Sequence, residues 1–221
     1  MQHSFNYITY GNINQSQLEL LTKECLADEV LGALDAKFKD RLQFPLNDSA
    51  TTKAELNDIA SKVKSLGEKD NSDYLHRYKR YDKSLKQSII SIFQSKGIDV
   101  EKLVLSIYAD VSPTIIKLKQ KYQRPRPYQL AQYYKLKLFP YSSESAHSPS
   151  YPSGHTLQAY CVLNIIANKY PNAYEFCKNF IDDIAYSRVY LGVHYPSDND
   201  ASFLIGKEIL KLKSITDKYK I

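Results

Sequence analysis

The chain has no tryptophan and only seven glycines among its 221 residues, and its apolar and polar residues rarely alternate. A β-architecture rich in turns is therefore disfavoured. Lys, Leu, Ala, Glu, Gln and Asp dominate long stretches instead, which points to a mostly helical protein. The three cysteines, Cys25, Cys161 and Cys177, fit no metal-ligand spacing. Their odd number excludes a fully paired disulfide framework and leaves one bridge plus one free thiol open. Long apolar runs are also missing. The longest uncharged helical candidate, Thr156 to Asn168, falls well short of the ~20 apolar residues a membrane span needs and contains Gln158 and Asn164. The N-terminus, MQHSFNYITYGNINQ, lacks the basic-then-apolar pattern of a secretory signal. The expectation is a cytoplasmic protein if the sequence is complete, or a processed form whose signal has been removed.

Enough apolar residues are present, 43%, to build a core. The net charge of +6 and pI of about 9.0 favour anionic partners such as phosphates, nucleic acid or acidic membrane surfaces, without choosing among them. With no repeat or low-complexity tract, residues 1–221 read as a single domain. Residues 1–13 read as an irregular arm. Asn14 or Ser16 can cap a first helix that extends toward Leu42, with Gly32 as a potential break. After the loop QFPLNDS, one of Ser49, Thr51 and Thr52 caps a helix that stops at Gly67. A third helix is expected over Tyr74 to Gln94. Asp99 caps a fourth that Pro113 should kink or break. The next 31 residues, QRPRPYQLAQYYKLKLFPYSSESAHSPSYPS, carry five prolines and read mostly as loop. A loop this long inside a domain is more often functional than not.

Three clusters carry chemistry. In SRVYLGVHYPSD, Gly192 ends one helix and Pro196 opens another, so His194 sits in a tight connection with Asp198 four residues on. A carboxylate there can take one ring N–H and leave the other nitrogen free to act. In YPSGHT, Ser153, Gly154 and His155 stand at the start of a helix, LQAYCVLNIIANKY, that is apolar nearly all round and should be central. Its free N–H groups need a partner, and a bound anion is one solution. In KQKYQRPRP, cations end a helix next to rigid prolines. The register is ambiguous, since Lys119 with Arg126 and Lys117 with Arg124 fit equally. Together the clusters offer cations, amide donors, a nucleophile and a proton donor, which is a kit for phosphoryl transfer.

In these motifs the chain resembles the type 2 phosphatidic acid phosphatase superfamily, which includes bacterial class A non-specific acid phosphatases and vanadium haloperoxidases. The matching residues are Lys119 and Arg126-Pro127, then Pro152-Ser153-Gly154-His155, then Ser187-Arg188, His194 and Asp198, within a motif region spanning residues 117–206. YPSGHT and SRVYLGVHYPSD look closest to the class A branch. The resemblance implies an all-α, single-domain helical bundle like the acid phosphatase/vanadium haloperoxidase fold. It implies hydrolysis of phosphate monoesters without a metal or other cofactor, with phosphate or vanadate as ligand. His194 would be the nucleophile, Asp198 its orienting group and His155 the proton donor. Lys119, Arg126, Ser153, Gly154 and Arg188 would hold the phosphoryl oxygens, while Arg124 would matter little. By their position beside the motifs alone, Tyr128 or Tyr151 would line the pocket. Class A relatives are usually periplasmic or secreted. Alternatives are a lipid phosphate phosphatase at a membrane surface, a vanadium-dependent haloperoxidase and, outside catalysis, a basic nucleic-acid-binding protein. Nucleic acid is not the expected partner. Peripheral membrane contact and homo-oligomers remain open.

Overall fold

The computed structural model describes residues 4–11, 27–38, 42–68 and 71–221. Among them every regular element is helical. In chain order these are α1 (Ala27–Phe38), α2 (Ala50–Leu66), α3 (Ser72–Lys83), α4 (Leu85–Gln94), α5 (Glu101–Tyr122), α6 (Pro127–Ala131), α7 (Gly154–Lys169), α8 (Tyr174–Tyr190), α9 (Pro196–Ile209) and α10 (Lys213–Tyr219). Short 3₁₀ turns lie at Gln132–Tyr134 and Pro171–Ala173. The proposed caps Asn14 and Ser16, and Cys25, lie outside the described residues. Gly32 falls inside α1 without ending it. Cys161 and Cys177 are both buried free thiols. Among the described residues no helix is long and apolar enough to cross a membrane.

Helix α7 is the centre of the array, as its all-round apolar pattern implies. It packs against α5, α8 and α9, and Leu157, Cys161, Val162, Leu163 and Ile166 are sealed from solvent. Gly206 permits the closest approach of α9, since a Cβ there would fall 2.5 Å from Tyr160 Cδ1. Ser49 caps α2 by accepting the Thr52 N–H at 3.1 Å, and α2 ends at Gly67.

Two expectations fail. The helix expected over Tyr74 to Gln94 is two helices. Ser84 adopts an extended conformation (φ −158°, ψ 90°) and its side chain caps α4 at Gln87 N. Helix α5 runs uninterrupted through Pro113. Its stripe of Val104, Ile107, Val111, Ile115 and Leu118 is buried throughout, and that packing outweighs the roughly 3 kcal/mol a helix-interior proline costs.

The proline-rich stretch is anchored rather than free. Leu130, Ala131 and Leu138 pack with Phe5, Leu56, Ile59, Val189 and Tyr195 in a second hydrophobic cluster. The N-terminal arm, irregular as expected in its described part, 4–11, is clipped to the same region. Tyr10 N–H donates to Gln123 O at 2.9 Å, and Gln129 Nε2 donates to Tyr10 O at 3.2 Å.

Candidate active site

The last turn of α8 brings Arg188 inward, and Gly192 then turns the chain with φ +77°. A side chain at Gly192 would meet Val63 Cγ2 at 2.9 Å and the backbone of Pro140 at 3.1 Å. Both its conformation and its packing therefore require glycine. The chain enters α9 at Pro196, so His194 is held between two helix ends with only 2% of its surface exposed. Its Nδ1 lies 3.0 Å from Asp198 Oδ2. The same oxygen accepts Tyr195 N–H at 3.0 Å and the Ser150 hydroxyl. Arg124 donates to Asp198 Oδ1 at 2.6 Å. Burial alone would raise the Asp198 pKa, but Arg124 and the hydrogen bonds from His194 and Ser150 hold it well below the usual carboxylate range. A charged acceptor at Nδ1 fixes that nitrogen as the N–H and leaves the lone pair on Nε2.

Next to Nε2 stands Arg126, with Lys119 and Arg188 close enough to it to interact electrostatically. Arg126 NH1 is 2.9 Å from His194 Nε2 and donates to Val193 O at 2.6 Å, while its Nε donates to Ser148 O at 2.8 Å. Lys119 reaches from α5 to the carbonyls of Pro149 and Ser150. Arg188 donates to Asp82 Oδ1 at 2.9 Å and to Ser145 Oγ at 3.0 Å. All three are buried. Burial and mutual repulsion lower Lys119 well below its usual value and Arg126 to about 10. Burial also lowers Arg188, against the pull of Asp82. Packing like charges out of water is unfavourable unless an anion joins them, so the arrangement is suited to holding an anion.

The start of α7 faces the same cluster. Ser153 is its N-cap and makes no side-chain cap. Its hydroxyl pairs with Thr156 Oγ1 at 2.9 Å, and Thr156 in turn donates to Asn199 Oδ1 at 2.7 Å. The Ser153 hydroxyl is thus the donor to Thr156 and would have to turn to bind a phosphoryl oxygen. Gly154 lets the helix start press on α5, since a Cβ there would be 3.3 Å from Ile115 Cγ2 and 3.7 Å from Lys119 Cε. His155 is half-buried and makes no hydrogen bond within the described residues. Burial and then Arg188 push its pKa well below the ordinary histidine value. Burial and then Arg126 do the same to His194.

All eight residues singled out in the sequence thus converge: Lys119, Arg126, Ser153, Gly154, His155, Arg188, His194 and Asp198. In the other register, Lys117 pairs at the surface with Asp28 at 3.5 Å. The pocket tyrosines divide. Tyr128 is partly exposed and lies close enough to Arg126 to act on it electrostatically. Tyr151 is buried among Phe44 and Tyr122 and donates to Leu42 O, so it is a core residue and no pocket wall. Arg124, expected to matter little, is fully buried against Asp198.

Sequence reasoning missed Asp82, Glu55 and Ser150. Asp82 gathers Arg188, the hydroxyls of Ser143 and Ser145 at 2.6 Å each and Glu144 N at 2.7 Å, which together keep it at about 2 despite burial. Nothing in SDYLHRYKRYDK marks Asp82 out from the charges around it. Among the described residues no group of three His, Cys, Asp or Glu could hold a metal ion.

The model of the PAP2 superfamily matches residues 102–213. No curated protein matches the chain. Among solved structures, the chain is similar in fold to the first transmembrane PAP2 type phosphatidylglycerolphosphate phosphatase from Bacillus subtilis. The TM-score is 0.54 with 18% identity, over 91% of this chain and 96% of that one.

Proposed function

Since the chain belongs to the PAP2 superfamily and is a phosphatase, we propose that it hydrolyses phosphate monoesters through a covalent phosphohistidine on His194, in the manner of class A acid phosphatases. The observation that carries this reading is the His194–Asp198 contact at 3.0 Å, set among Lys119, Arg126 and Arg188. The phosphoryl group lies among these cations and the free N–H groups at the start of α7. One of its oxygens takes over the Arg126 N–H now aimed at Nε2. Nε2 then attacks phosphorus while Nδ1–H stays on Asp198. The bond to the leaving oxygen breaks as the N–P bond forms, and His155 gives that oxygen a proton. Water, losing a proton to His155, displaces phosphate from His194 and restores both groups.

The pH dependence follows from the two histidines. His194 must be neutral to attack, which sets the acid limb of the rate profile. His155 must be protonated to donate, which sets the basic limb. Both lie below the ordinary histidine value, so the bell for kcat/KM belongs on the acidic side. A bound dianion among the cations raises the proton affinity of His155.

A panel of soluble phosphomonoesters assayed across pH 4–8 tests the reading, and no turnover at any pH would defeat it. Orthovanadate, which can adopt the five-coordinate geometry of in-line transfer, should inhibit far better than sulfate. EDTA should leave the rate unchanged. Loss of activity in EDTA with recovery on adding a divalent ion would contradict the metal-free mechanism.

A second reading concerns the alcohol rather than the phosphate. The similar transmembrane structure is that of a phosphatidylglycerolphosphate phosphatase. In this chain, the exposed Phe139 follows exposed Lys135 and Lys137 in the segment whose Tyr141 N–H donates to Leu191 O at 3.0 Å. Apolar and cationic groups together suit an anionic lipid surface. Hydrolysis of lipid phosphates in anionic vesicles, with none of soluble monoesters, would favour that reading over the first.

A further inference from the structure

His194 and Asp198 stand at the end of a longer chain of buried charges that neither the motifs nor the mechanism above uses. Glu55, on α2, accepts Ser197 N–H at 2.7 Å through Oε1 and the Ser197 hydroxyl at 3.0 Å through Oε2. The same Oε2 accepts Arg124 NH2 at 3.1 Å. Arg124 NH1 reaches Ser197 Oγ at 2.8 Å and Asp198 Oδ1 at 2.6 Å, and Asp198 Oδ2 meets His194 Nδ1 at 3.0 Å. The sequence carboxylate–guanidinium–carboxylate–imidazole is thus continuous. Arg124 has no exposed surface, and the Glu55 side chain is 10% exposed. The guanidinium lies 3.8 Å from the Tyr195 ring centroid and 5.1 Å from that of Phe44, which removes alternative positions for it.

We propose that Glu55 and Arg124 are positioning residues that hold Asp198 in place and set, through it, the direction and basicity of His194. The proposal rests on His194 being the nucleophile. Arg124 draws on the Asp198 charge and so weakens the hold of Asp198 on an imidazolium. Glu55 balances Arg124 and moderates that draw. It also binds the first turn of α9, where an acceptor for free N–H groups is favourable. The other charges facing His194 are Arg126, 2.9 Å from Nε2, and Lys119 from α5. Neither is altered by the substitutions below.

The two residues should act in opposite directions. In Arg124→Met the carboxylate is released toward His194, so the imidazolium is better held. The acid limb of kcat/KM should move up, on the order of 1 pH unit. In Glu55→Gln, which is nearly isosteric and keeps the fold, Arg124 is unbalanced and the limb should move down. The double variant should resemble Arg124→Met, because Glu55 acts through Arg124. The basic limb should stay put, since the charges facing His155 are Arg188, Asp82, Lys119 and Arg126.

The test is the pH–rate profile of wild type and the three variants, with an NMR titration of the His194 ring in the same proteins. Opposite shifts of limb and ring support the proposal. Shifts in the same direction, or no shift in Glu55→Gln, overturn it even if Arg124→Met fails to fold. If wild-type protein hydrolyses no phosphomonoester, the functional reading fails by itself, and the ring titration still decides the relay.

Discussion

His194→Ala should lose turnover by the covalent route with every phosphomonoester, and no phosphate should be bound to protein after quenching. The expectation follows from where the side chain sits. His194 is the described imidazole whose Nδ1 faces a buried carboxylate, 3.0 Å from Asp198 Oδ2, leaving Nε2 among the cations. His155 cannot substitute, because it makes no hydrogen bond to a carboxylate among the described residues and burial beside Arg188 lowers its proton affinity. Loss of a nucleophile removes the covalent route rather than slowing it, so the residual rate should approach that of water assisted by the cations alone. The fold should survive, since the substitution leaves Asp198 held by Arg124, Ser150 and Tyr195 N–H. Thermal unfolding of the variant, with and without orthovanadate, checks that. Turnover within a few-fold of wild type would remove His194 from the chemistry.

Arg126→Ala should lower kcat/KM by on the order of 10²-fold or more, as loss of a preorganised charge at a transferring phosphoryl group does. It should also weaken inhibition by orthovanadate. Arg126 sits 2.9 Å from His194 Nε2, whereas Arg124 lies on the far side of Asp198. The two arginines therefore differ in kind. In the proposed mechanism Arg126 meets the phosphoryl group, while Arg124 acts only through Asp198. Arg126→Lys keeps a charge but loses the planar fork that also binds Ser148 O and Val193 O, so it should recover part of the rate. If instead Arg124→Ala abolished vanadate affinity while Arg126→Ala left it intact, the basic motif would be read two residues too late.

Local rules made part of this site legible. Gly192 ending α8 and Pro196 opening α9 could be read from the chemistry of helix termini, and with them the placement of His194 four residues before Asp198. The all-round apolar pattern placed α7 at the centre. What stayed hidden depends on partners far away in the chain. Asp82 meets Arg188 across 106 residues, and Glu55 meets Arg124 across 69. Neither carboxylate differs locally from its solvated neighbours. Propensity misjudged Pro113 because burial of the α5 stripe outweighs a lost backbone bond, and it missed the break at Ser84 because that serine caps a helix rather than continuing one. Position beside the motif suggests a pocket role for Tyr151, but its ring packs against Phe44 and Tyr122 in the core. The motif register gives Arg124 no role, yet the fold brings it onto Asp198.

The central claim is a covalent bond from His194 Nε2 to phosphorus, and rapid mixing with phosphate-labelled p-nitrophenyl phosphate followed by quenching tests it most directly. Wild-type protein should carry acid-labile, base-stable label. His155→Ala should carry at least as much, because p-nitrophenolate leaves with little need of a proton and release from the enzyme is slowed. The same variant should fail with alkyl phosphates. His194→Ala should carry none. Label on His194→Ala protein, with none on wild type or His155→Ala, would contradict the account and exchange the roles of the two histidines.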